Sequence, residues 1–149
     1  MAAFLTCLAG GVAVAQDKPA DTTDLLREKI RADKKLVVAE ALKLTESEAK
    51  AFWPVYNAYQ SDMIAYYGRV SKLIDTFSQT YTSMTDESAT KLLGDFLALG
   101  REHVGILNSY APKFRRVLPP VKVVQFYQIE NKLRAMVDYE LAREIPLIK

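Results

Sequence analysis

Residues 44–81 read LTESEAKAFWPVYNAYQSDMIAYYGRVSKLIDTFSQTY, and the reading of this stretch decides the fold. Thr45 followed three residues later by Glu48 has the form of a capping box: the threonine hydroxyl accepts from the Glu48 amide and the Glu48 carboxylate returns to the Thr45 amide. A helix is therefore expected to start at this point. From there Phe52, Tyr56, Tyr59, Met63, Tyr66, Val70, Leu73, Phe77 and Tyr81 recur at steps of three and four, the spacing of a single helical seam. Pro54 lies beyond the first turn, where proline removes one helical donor, and it predicts a kink rather than a break.

Working outward, Thr85 with Asp86 and Glu87 repeats the start signal, placing two acids where the positive end of the helix dipole favours them. Leu92, Phe96, Leu99, His103, Leu107, Tyr110, Phe114 and Val117 continue one face for about 50 Å of helix, with a bend expected at Pro112. Pro119-Pro120 separates this helix from a last one running to about Arg143. Its expected inner face is Val123, Phe126, Ile129, Leu133, Met136 and Val137, and Pro146 marks the stop. Glu130 falls near that inner edge, where burial would call for a basic partner such as Arg101 or Arg134. Upstream, Thr22-Thr23-Asp24 caps a helix through Leu25, Ile30, Val37, Val38 and Leu42. No stretch alternates apolar and polar residues for long, and no Asn-Gly or Asp-Gly turn occurs. The expected class is all-α: four long helices in an elongated bundle, or a bent hairpin whose core a second copy completes.

Residues 1–15, MAAFLTCLAGGVAVA, carry no charge and end in Ala13-Val14-Ala15, the small-x-small pattern of an export signal cleaved after Ala15. A polar leader over 16–21 then precedes a single helical domain over 22–149, and a periplasmic destination is expected. The lone cysteine, Cys7, falls within the signal, so the mature chain is expected to hold no disulfide and no thiolate site. With 149 residues, 50% hydrophobic and 26% charged, there is enough apolar material for a core without cross-links. The net charge of +2 argues neither for nucleic acid nor for an anionic membrane. No segment of the mature chain reads as a membrane span.

Chemistry finds little purchase in the residue types. One histidine rules out multi-histidine zinc sites within a chain, and no nucleophile elbow, phosphate loop or dinucleotide glycine fingerprint occurs. Catalytic, metal-ligating and cofactor-binding residues are accordingly expected to be none, and the chain is not expected to be an enzyme. A remote alternative is a haem held in a helical bundle by His103 and Met63, Met84 or Met136.

Leu44-Thr45-Glu46-Ser47-Glu48 and Met84-Thr85-Asp86-Glu87-Ser88 begin forty residues apart and share an apolar residue, a capping threonine and acids opening a long helix. This layout resembles the LTxxQ family of small periplasmic stress proteins, of Spy and CpxP type, with Leu44, Thr45, Met84 and Thr85 on motif positions. The motif glutamine is Glu48 in the first copy and Ser88 in the second. The resemblance implies an ATP-independent chaperone or envelope-stress regulator, a cradle-shaped homodimer that binds client or partner proteins. The charge distribution suits that expectation: residues 112–149 carry eight basic and four acidic side chains, whereas 44–111 carry five and eight. Lys113, Arg115, Arg116 and Lys122 around the Pro119-Pro120 turn, with Lys34 and Lys35, are the candidate protein-binding residues, able to attract unfolded chains by charge before apolar contact. The alternative is a subunit that docks on an envelope complex through the tyrosine-rich seam, Tyr66 and Tyr67 included.

Overall fold

In the computed structural model, residues 33–148 are described. The expected signal peptide, polar leader and start of the first helix lie outside them. Among the described residues every regular element is helical: α1 over residues 33–42, α2 over Glu46–Thr80, α3 over Asp86–Val117 and α4 over Pro120–Glu144. The chain divides after Val37. Of the preceding unit only one turn of α1, residues 33–37, is described, and Val38–Lys149 forms the second unit.

Local chemistry sets the boundaries. Thr45 and Glu48 make the reciprocal capping box, with the Thr45 amide donating to Glu48 Oε2 at 2.8 Å and the Glu48 amide to Thr45 Oγ1 at 3.3 Å. At α3, Thr85 caps and Ser88 returns the bond, the Thr85 amide donating to its Oγ at 2.9 Å. Ser88 thus closes the capping box of α3 as Glu48 closes that of α2. Pro54 and Pro112 each sit inside one uninterrupted helix. Leu118 adopts extended geometry before Pro119, and Pro120 opens α4 at a position whose N–H has no helical partner to lose. Lys43, at φ 44°, ends α1 in the left-handed region that often closes helices.

Pairings across the helices fix their directions. Tyr110 donates to Asp62 at 2.7 Å and Arg69 pairs with Glu102, so α3 runs antiparallel to α2. Lys122 meets Glu48, Phe126 meets Phe52 and Gln60 meets Glu130, so α4 runs parallel to α2 and covers its first half.

The core lies where three helices and the end of α1 converge: Val38, Leu42, Phe52, Tyr56, Tyr59, Met63, Tyr110, Phe114, Leu118, Val123 and Phe126. Phe126 is its hub, fully buried, with its ring 4.5 Å from that of Phe114 and within 6.0 Å of those of Phe52, Tyr56, Tyr59 and Tyr127. Such edge and tilted contacts add attraction beyond the area buried. The aromatic seam of α2 is therefore internal through Met63 and half-buried beyond it.

Periodicity overstates the core at the far ends. Phe96 on α3 is 63% exposed, and Met136 and Val137 on α4 are 67% and 47% exposed, although all three lie on stripes expected to face inward. The physical reason is a shortage of neighbours: past Glu130, α4 contributes no buried side chain among the described residues. Glu130 is itself buried. It accepts from Gln60 Nε2 at 3.4 Å and hydrogen-bonds Tyr59, while Arg134 is committed to Asp138 and Asn131.

Candidate functional surface

The motif residues are structural. Leu44 packs on the core, and Thr45 and Glu48 cap α2. Thr85 caps α3 in the same way, with Met84 half-buried just before it. Glu48 also acts at long range, because Lys122 Nζ reaches it at 2.6 Å while donating to the Lys43 carbonyl at 3.1 Å. The lysine therefore ties the end of α1 and the start of α2 to α4. The hydrogen bond from Lys122, with that from the Thr45 amide, holds the Glu48 carboxyl below the usual carboxylate range.

The other basic candidates separate into two places. Lys113, Arg115 and Arg116 are exposed near the C-terminal end of α3, where positive charge offsets the helix dipole. Lys113 lies 3.9 Å over the Tyr110 ring, and Arg115 Nε donates to the Ala111 carbonyl at 3.3 Å. Across the Pro119-Pro120 turn, Val121 and Val124 are exposed beside Pro120 and Gln125 in a shallow depression. Lys34 and Lys35 stand on the turn of α1 that precedes Val38, the first half-buried and the second exposed.

The larger apolar exposure is one that charge and motif reasoning missed. Leu93, Phe96, Leu97 and Val104 on α3 are exposed, at 58%, 63%, 49% and 54%. Their steps of three, one and seven place them on one flank of the helix. Gly100 lies among them, one turn from Leu97 and from Val104, and a side chain built there would meet nothing within 4 Å. A second 3-4 stripe beside the α2-facing one was the available signal, with Leu93, Leu97, Gly100 and Val104 in steps of four, three and four.

His103 is half-buried on the border between the two stripes. Its ring centroid is 5.3 Å from that of Tyr66, and burial, then the Arg134 charge, hold its pKa below the ordinary histidine value against the opposing pull of Asp138. The methionines named with it as haem ligands are dispersed. Met63 is buried in the core, Met136 is exposed on α4, and Met84 precedes a helix on which His103 comes ~26 Å later at 1.5 Å per residue. Among the described residues no three His, Cys, Asp or Glu side chains gather so as to hold a metal ion, and no helix is long and apolar enough to cross a membrane. Tyr66 and Tyr67, expected to offer a docking seam, are half-buried against the core cluster.

No protein-family model, no curated protein and no solved structure matches this chain.

Proposed function

We propose that this chain is a periplasmic protein-binding protein, an ATP-independent chaperone or envelope-stress regulator in the manner of the LTxxQ family, exported by residues 1–15. The observation that carries the reading is the exposed flank Leu93, Phe96, Leu97 and Val104 on a helix whose other face is packed. Large apolar side chains kept together in water on a rigid helix lose little entropy when another chain covers them. The exposed bases Lys113, Arg115 and Arg116 lie on the same helix and supply a longer-range attraction for acidic partners. No reacting group is needed for either contact.

The test is suppression of aggregation of several unrelated unfolded proteins by the mature chain at near-stoichiometric ratio, with and without added salt. A client-binding protein protects several of them, less well at high salt. Failure against all of them, with tight capture of one envelope protein, would select the docking-subunit reading instead.

A further inference from the structure

We propose that the exposed flank of α3 recognises its partner as an amphipathic helix, laid antiparallel along Leu93, Leu97, Gly100 and Val104, and not as an extended chain. The proposal rests on the protein-binding function given above and names the conformation of what is bound. At ~100° per residue the four positions fall within a sector of about 60°, and their steps of four, three and four make a seam of the kind one helix offers to another. All four are exposed. Gly100, in the middle, is a notch: a side chain built there would meet nothing within 4 Å, so a partner's backbone or a large apolar side chain can come close.

Backbone chemistry decides the partner's conformation. Between Leu93 and Val104 α3 is uninterrupted helix, so its amides and carbonyls are spent on one another and offer no row of partners to a strand. An extended segment pressed on this flank would lose water from peptide groups and gain nothing in exchange, whereas a helix arrives with its own satisfied. Charge then sets the direction. Asp86, the first residue of α3, and Arg115, in its last turn, lie in the same sector as the seam, both exposed, ~44 Å apart along the axis. Helices favour acids in their first turn and bases in their last. One that runs against α3 therefore brings its acidic start to Arg115 and its basic end to Asp86, while a parallel one sets like charges together at both ends. A second copy of α3 would match at the ends but place Arg101, exposed next to the central Gly100, against its own twin. A helix from another protein has no such clash.

Fluorescence anisotropy of labelled synthetic peptides titrated with the full chain reads the preference. Three peptides of one composition, each about 30 residues or ~45 Å as a helix, differ only in order. The first has leucines at helical spacing, glutamates in its first turn and lysines in its last; the second has those end charges exchanged; the third alternates leucines with polar residues, the pattern of a strand. The first should bind about tenfold tighter than either of the others. In the double variant Asp86→Lys, Arg115→Glu the order of the first two should reverse, an outcome that loss of fold does not produce. Equal binding of the three, tighter binding of the third, no binding of any, an order that does not reverse, or a sedimenting dimer of the chain that the first peptide fails to dissociate overturns the proposal. Protection of unfolded proteins from aggregation alongside any of these results would leave the protein-binding function standing without it.

Discussion

Lys122 and Glu48 meet at 2.6 Å across 74 residues of sequence, and Glu48 is also the carboxylate that closes the capping box on Thr45. One side chain therefore serves a local and a long-range purpose. Its folded-state pKa is lowered, so the pair contributes stability that is present above the ordinary glutamate pKa and lost as pH falls through the folded one. Lys122→Met should flatten the decline in stability below about pH 4.5, the reference value for that carboxyl. Urea midpoints measured from pH 3 to pH 7 on both proteins check this; parallel curves would mean the pair is energetically idle.

Phe126 touches the other rings at the centre of the core, so removing its side chain leaves a cavity that no single neighbour can fill. Phe126→Ala should cost about 3–5 kcal/mol, read by denaturant titration. Trp53, 5.0 Å from Phe52 and the one tryptophan of the chain, reports the transition. A loss below ~1 kcal/mol would contradict the placement of Phe126 as hub.

Burial pushes the phenols of Tyr67 and Tyr110 up to about 12 and those of Tyr56 and Tyr59 higher still, with the charge of Glu130 adding to the last two. A raised folded-state pKa binds the proton more tightly in the native protein. The contribution is thus complete below the ordinary tyrosine value of 10 and lost as pH rises above it. Alkaline titration followed at once by phenolate absorbance and by circular dichroism should show these four tyrosines ionising with unfolding. Ionisation of all of them at pH 10 with the helices intact would refute their burial.

These cases show which parts of the molecule are readable in advance. The caps at Thr45 and Thr85 depend on residues three apart, and the inner seam of α2 depends on a regular step, so both are visible in a string of letters. Ser88 is not, since serine at the third helical position is an unusual partner in a capping box. The exposure of Phe96, Met136 and Val137 is also hidden. Their periodicity is that of a core stripe, and only the three-dimensional fact that α4 stops contributing buried side chains after Glu130 leaves them in water. Lys122 reads as one member of a basic cluster because nothing in its neighbourhood announces Glu48 or the Lys43 carbonyl. The α3 flank escapes notice because a helix with two apolar stripes reads, by its strongest period, as having one.

Phe96 and Leu97 are in solvent, so replacing both by glutamate should change stability by less than about 1 kcal/mol. The same change should lower aggregation suppression severalfold. Unaltered protection by the folded double variant would remove the α3 flank from the binding surface.

The claim that α3 grips other proteins is tested most directly by photo-crosslinking from single positions to an aggregation-prone client in its unfolded form. Probes at Leu93, Leu97 and Val104 should capture the client, and probes at the exposed polar positions Asn57 and Ser61 of α2 should not. Capture of equal strength from both sets, or none from the α3 positions while aggregation is still suppressed, would contradict the account.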